Sequence, residues 1–398
     1  MYRDRKFRVR PVASIVEDLD SALQVDGQER VNRTAQPPTA GRRIARAVLA
    51  ILWVVVAGCG DDGSGAAADS CAGGTSGLRC LAAARGLTIG SAVNFHALSA
   101  DTTYPLVAAR EFNIVTPENE MKWDIVHPQR ERYDFSRADA IVAWARRHGM
   151  EVHGHVLAWH QQNPGWLTAG SFGRDESIAI LRDHIHTLVG RYRGRVAQWD
   201  VVNEAVDDSG GKLRDTLWLR RIGADYIDLA FRFAREADPN VQLFYNDYAI
   251  ESRGVKFNAV SALVGDLKAR AVPIDGVGFQ SHVLFGAQCA RCLDNLGANL
   301  RRITDLGLDV AITELDVPIT PPPTDENLAA QAYLYDTALA ACLSVPRCYT
   351  FVMWGFTDRY SWIPATFPPF DDALIFDRNY VPKPAYDALR MRLATLAP

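Results

Sequence analysis

Val201-Val202-Asn203-Glu204 closes a short β-branched run on a glutamate, and Ala311-Ile312-Thr313-Glu314 does the same further along the chain. A loop-like stretch follows each. An apolar strand that ends on a carboxylate is leaving a packed core for a cleft, where the charge is neither buried unpaired nor idly solvated. Outward from these two runs the chain alternates strand-like and amphipathic segments. The pattern predicts strands over 88–93, 112–116, 151–157, 197–202, 242–246, 276–280, 309–313 and 350–354. It predicts helices over stretches such as 138–148, 177–192, 217–236, 255–270, 295–306 and 327–343. Strand then helix, repeated about eight times, is the signature of an α/β fold closed into a parallel (β/α)8 TIM barrel, here one catalytic domain over 78–398. A doubly wound open sheet would want a Gly-rich phosphate turn after its first strand, and none follows Val93.

A barrel collects its polar and aromatic residues just after the strands. Asn119, Glu120 and Lys122 follow the second, and His155, Trp159, His160 and Gln162 follow or close the third. Asn203 and Glu204 close the fourth, Asn246, Asp247 and Tyr248 the fifth, Gln280 and His282 the sixth, Glu314 and Asp316 the seventh, and Trp354 the eighth. Carboxylates among Trp, Asn, Gln and His, with no nucleophilic Ser elbow and no phosphate loop, point to a carbohydrate substrate. Trp159, Trp354 and Trp362 are candidate stacking platforms, whereas Trp199 and Trp218, inside a strand and a helix, are candidate core. Glycoside cleavage needs a proton donor and a second carboxylate at the anomeric carbon, and Glu204 and Glu314 are the candidates. One strand-end glutamate alone is as well explained by a salt bridge. Two of them, each inside a ring of sugar-binding residue types, favour catalysis.

A hydrophobic fraction of 48%, a charged fraction of 23% and a net charge of −4 describe an ordinary soluble protein with no basic footprint for nucleic acid. No cofactor is implied. The N-terminus reads as processing signals. Gly41-Arg-Arg-Ile-Ala-Arg46 is a basic flank, and the apolar run from Ala47 to Ala57 is too short to span a bilayer but suits a signal-peptide core. Val56-Ala57-Gly58-Cys59 resembles the bacterial lipoprotein box, which makes Cys59 a candidate lipidation site; a plain secretory signal is the alternative. The expected organisation is therefore an anomalous extension over 1–41, a signal over 42–58 and a flexible Gly/Ala/Ser/Asp tether over 59–77 ahead of the barrel. Residues 1–40 fit poorly before such a signal, and a true start nearer Val31 is expected. The product is expected to be exported and held at the cell surface or outer membrane, or else secreted.

Setting Cys59 aside, six of the seven cysteines fall in three close pairs, Cys71 with Cys80, Cys289 with Cys292, and Cys342 with Cys348. Close spacing in an oxidising compartment favours local disulfides. Cys289-Ala-Arg-Cys292 is also the shape of a redox or zinc half-site, but no second pair or nearby His offers further ligands.

Several motifs together resemble glycoside hydrolase family 10, the endo-β-1,4-xylanases. They are Thr116-Pro-Glu-Asn-Glu-Met-Lys-Trp123, Gly154-His-Val-Leu-Ala-Trp-His160, Val201-Val-Asn-Glu-Ala205, Gly278-Phe-Gln-Ser-His282, Ile312-Thr-Glu-Leu-Asp316 and Phe376-Asp-Arg-Asn-Tyr-Val-Pro-Lys-Pro-Ala-Tyr386. The resemblance runs from about Thr88 to Tyr386. It implies endo-hydrolysis of xylan and xylo-oligosaccharides by a retaining double displacement, with Glu204 as acid/base, Glu314 as nucleophile, and a monomer as the working unit. It implies that His282 bonds Glu314 while Asp316 orients that imidazole, and that Asn203 meets the sugar 2-hydroxyl. Asn119, Glu120, Lys122, His155, Trp159, Gln162, Gln280, Trp354 and Trp362 would line the subsites, with Asn246 and Tyr248 as further substrate contacts. It also implies a Cys342–Cys348 disulfide. Two features depart from the family pattern. The Cys289–Cys292 pair sits in the sixth βα loop, and His153 adds an imidazole two residues before His155. His-x-His on one strand face is the spacing of metal-dependent barrel hydrolases, yet those would want further ligands at later strand ends, so no metal is expected. A non-catalytic glycan-binding lipoprotein is the competing class, disfavoured by the presence of both glutamates.

Overall fold

Eight parallel strands close on themselves: β1 Thr88–Val93, β2 Ile114–Pro117, β3 Glu151–Ala158, β4 Gln198–Asn203, β5 Gln242–Asp247, β6 Gly276–Phe279, β7 Asp309–Leu315 and β8 Cys348–Met353. Each pairs with the next, and β8 returns to β1 with Gly90 opposite Val352. This computed structural model describes residue 71 and residues 77–209, 211–283, 289 and 291–395. The extension, signal and tether, Cys59 included, lie outside the described residues apart from Cys71 and Gly77. Among the described residues no helix is long and apolar enough to cross a membrane.

All eight expected strands are present, with shifted ends. β2 starts at Ile114, and β7 runs through Leu315, so Glu314 lies inside its strand while Glu204 sits directly after β4. Most strand positions are buried on both faces, as helices cover the outside and side chains fill the barrel. Alternation decides which residue goes where. Gly154 is opposite Trp199 in the β3–β4 register, and a Cβ on it would come within 2.2 Å of the indole. Both therefore face outward, where Trp199 joins the helix-facing core. The residues beside them, His153, His155, Gln198 and Asp200, are turned into the barrel.

The helix expected over 217–236 is two, Leu217–Ile222 and Tyr226–Ala237. Gly223 separates them at φ +98, a backbone state that ends the first helix and that a side chain would oppose. The Thr216 hydroxyl caps the first helix by accepting from Leu219 N at 3.0 Å. Trp218 is 1% exposed, as expected for core. The helices Leu78–Ala83, Phe95–Ala100, Tyr104–Glu111 and Pro384–Thr395 were not among those read from the pattern. Glu111 draws the first and last of these together, accepting from Leu78 N at 2.9 Å and from the Tyr386 hydroxyl at 3.1 Å.

All three cysteine pairs form disulfides, with Cα separations of 5.6 Å for Cys71–Cys80, 5.5 Å for Cys289–Cys292 and 5.3 Å for Cys342–Cys348. With both sulfurs bonded to each other, Cys289 and Cys292 have no thiolate to offer as a zinc half-site.

Candidate active site

The ends of β4, β5, β6 and β7 bring two carboxylates into one amide network. Glu204 Oε1 accepts from Asn203 Nδ2 at 2.9 Å and from Gln280 Nε2 at 3.0 Å. Glu314 Oε1 accepts from Asn246 Nδ2 at 2.7 Å. Asn203 Oδ1 joins the two halves, accepting from Asn246 Nδ2 at 2.9 Å and Gln280 Nε2 at 3.2 Å. Thr313 Oγ1 donates to Asn246 Oδ1 at 2.7 Å, which fixes that amide's orientation. Asn246 is fully buried, so it holds Asn203 and Glu314 in place from behind.

The two carboxylates differ in their remaining neighbours. Glu314 Oε2 lies 3.1 Å from His282 Nε2, and His282 Nδ1 lies 2.9 Å from Asp316 Oδ2. Trp362 Nε1 donates to that same Asp316 oxygen at 2.8 Å. Burial alone would lower the His282 imidazolium, but Asp316 and Glu314 on either side raise it to about 10. It is a fixed cation at neutral pH, with both N–H groups donating. Burial pushes Glu314 up, yet the His282 hydrogen bond and the His155 and His282 charges outweigh that and leave it below the ordinary carboxylate range. Glu204 meets neutral amides on Oε1. Its Oε2 has His160 Nδ1 at 3.6 Å, beyond hydrogen-bond range.

Inside the barrel, below Glu314, Asp200 is held between two imidazoles. Its Oδ1 lies 2.9 Å from His153 Nε2 and its Oδ2 lies 2.9 Å from His155 Nδ1. Gln198 Nε2 donates to His153 Nδ1 at 2.9 Å, and the His153 Nε2 approach to Asp200 Oδ1 is close without being an aligned hydrogen bond. Burial would raise Asp200, but His153 and His155 together bring it down to about 2. His155, Asp200 and Glu314 each offer a ligand atom within 4.8 Å of the others. Both Asp200 oxygens already face a ring nitrogen, so the His-x-His pair serves that carboxylate.

The expected subsite residues gather around this centre. Lys122 Nζ donates to Asn119 Oδ1 at 3.0 Å and Gln162 Oε1 at 2.8 Å. It also lies 5.1 Å from the Trp159 ring and 5.7 Å from the Trp354 ring. Burial moves its ammonium below the ordinary lysine value, against the pull of Glu314. Trp354 is only 7% exposed and packs edge-on to His155 at 5.1 Å, forming floor more than open platform. Glu120 is tied to backbone: its oxygens accept Phe95 N at 2.9 Å and Asn119 N at 3.1 Å, pinning the loops after β1 and β2. Tyr248 lies at the edge of the site, donating to Asp208 Oδ2 at 2.7 Å. The loop bearing Trp362 is anchored by buried Asp358, which accepts from Lys383 Nζ at 2.9 Å and Leu374 N at 2.8 Å.

Sequence reasoning missed Asp200 and Gln198. Asp200 and Gln198 carried a signal, since the inward alternation that ends near Glu204 passes through both.

A parallel (β/α)8 barrel with two carboxylates of unlike environment at its C-terminal mouth has the architecture of a glycoside hydrolase. The family model described as glycosyl hydrolase family 10 matches residues 77–391. Endo-1,4-beta-xylanase B of Thermotoga neapolitana is 45% identical over 317 residues, covering 79% of this chain and 90% of that protein. Endo-1,4-beta-xylanase 1 of Humicola insolens is 40% identical over 321 residues, covering 80% and 74%. The crystal structure of xylanase 10B from Thermotoga petrophila in complex with xylobiose superposes with a TM-score of 0.76 at 45% identity, covering 80% of this chain and 97% of that one. The chain belongs to glycosyl hydrolase family 10.

Proposed function

We propose that this barrel hydrolyses internal β-1,4-xylosidic bonds of xylan by double displacement with retention. The observation that carries the reading is the asymmetry of the two carboxylates. Glu314 rests against the His282 cation and stays ionised, which suits a nucleophile, while Glu204 takes its hydrogen bonds from the neutral amides of Asn203 and Gln280 and from no cation among the described residues, which suits a proton donor. In the first step a Glu314 oxygen bonds the anomeric carbon as the glycosidic C–O bond breaks, and the Glu204 proton goes to the departing oxygen. In the second, Glu204 takes a proton from water, the water oxygen bonds the anomeric carbon, and the Glu314 ester bond breaks. One N–H of Asn203 Nδ2 is engaged by Glu204, leaving the other for the 2-hydroxyl.

The test is leaving-group dependence. Glu204→Gln is expected to lower kcat/KM on xylo-oligosaccharides by roughly 10²–10⁴-fold while largely sparing glycosylation by an aryl xylobioside with a good leaving group. Glu314→Gln is expected to abolish both. Equal losses for Glu204→Gln on the two substrates, or xylan binding by the wild type without release of reducing ends, would overturn the reading.

We infer further that the chain is exported and carries lipid on Cys59. The basic flank, apolar run and Val56-Ala57-Gly58-Cys59 support this, as do three disulfides, which persist in oxidising compartments.

A further inference from the structure

Glu204 has φ +57, in the left-handed region that costs a residue with a Cβ on the order of 1 kcal/mol or more. Such a backbone persists only where its surroundings hold it. Glu204 N donates to Asn246 O at 2.9 Å, which fixes one flanking peptide. The other is fixed by Arg214, whose Nε donates to Glu204 O at 2.9 Å and whose Nη2 donates to Val206 O at 3.1 Å. The same guanidinium donates to the Tyr248 hydroxyl at 3.0 Å and faces the Asp208 carboxylate at 3.1 and 3.3 Å. Tyr248 in turn donates to Asp208, which closes a triangle of side chains. Lys256 backs the triangle, with Nζ 3.0 Å from Asp208 Oδ1 and 3.4 Å from the centre of the Tyr248 ring. Lys256, Tyr248 and Arg214 overcome the effect of burial on Asp208 and hold its carboxyl at about 2, so Asp208 is a carboxylate at neutral pH. The Arg214 side chain is 17% exposed and its fork is directed at protein acceptors, so it serves the fold of the site.

We propose that Arg214 is the positioning residue of the acid/base: it clamps the left-handed Glu204 backbone and couples it to the Tyr248 ring, so that the carboxyl is aimed at the departing oxygen. The proposal rests on the reading of Glu204 as acid/base. A proton donor must come within roughly 2.6–3.2 Å of its acceptor, and a misplacement of about 1 Å can cost about 10²-fold in rate. That loss is felt only where the leaving group needs protonation. A fork that contacts a carbonyl, a carboxylate and a phenol together is not replaceable by the single point charge of lysine.

The experiment compares Arg214→Met, Arg214→Lys and Tyr248→Phe with wild type on xylotriose and on a dinitrophenyl xylobioside, with thermal midpoints recorded for each. For Arg214→Met, kcat/KM on xylotriose is expected to fall about 10²-fold while the activated substrate stays within about twofold. Arg214→Lys is expected to recover only part of this, and Tyr248→Phe to show a smaller loss in the same direction. Equal losses on both substrates would reduce Arg214 to a structural role and overturn the proposal, as would no loss on either. Should Arg214→Met not fold, the Tyr248→Phe and Arg214→Lys ratios decide it by the same criterion. Glu204→Gln run in parallel separates the two claims, because its own lack of leaving-group dependence would remove the acid/base assignment itself.

Discussion

At the residue scale, His282 shows how one ring gives two glutamates different work. Its ordinary imidazole value is 6.5, and Asp316 with Glu314 raises it to about 10 in the fold. Between those values the folded chain keeps a proton that the unfolded chain releases. The stabilisation from this contact is therefore complete below pH 6.5 and is lost as pH rises through about 10. Thermal midpoints of the wild type are expected to fall from pH 7 toward pH 10, and more steeply than those of His282→Gln. Coincident slopes would show that the alkaline loss arises elsewhere. The His282–Glu314 pairing was expected through the family motifs alone, since nothing local ties a residue after β6 to one on β7. Arg214 was not legible at all, because its meaning lies in a carbonyl ten positions back and a phenol on another loop.

At the element scale, the strands were legible because β-branched runs with turn-like ends act over a few residues. The paired helices after β4 were less so, since a helical period continues through Gly223 on paper while its positive φ interrupts it in the fold. The Cys342–Cys348 bridge joins the end of the helix Asp325–Leu343 to the first residue of β8. Its short loop limits the entropy it removes from the unfolded chain, to about 2 kcal/mol. Cys342→Ala with Cys348→Ala is expected to lower the thermal midpoint by several degrees without changing the leaving-group dependence of Glu204→Gln. An unchanged midpoint would mean that helix and strand hold each other without the bridge.

At the scale of the whole molecule, the barrel presents its chemistry at one end, and the segment proposed to anchor it precedes it in the chain. If lipid is carried on Cys59, cells expressing the full chain should incorporate labelled fatty acid into the protein and retain activity in the membrane fraction. Cys59→Ala should release that activity to the soluble fraction without label, and an unlabelled wild type found only in the medium would refute the anchor. The amino-acid sequence determined by itself the strand–helix repeats, the burial of Trp199 and Trp218 in the core, and the delivery of Glu204 and Glu314 to the C-terminal parts of β4 and β7. Those depend on short-range periodicity. Barrel closure alone decided that Asn203, Asn246 and Gln280 interlock, that Asp200 sits between His153 and His155, and that Arg214 grips the Glu204 carbonyl. Contacts between neighbouring strands follow from their register, and contacts between loops from the curvature that brings strand ends together. Neither is encoded in the spacing of residues along one segment.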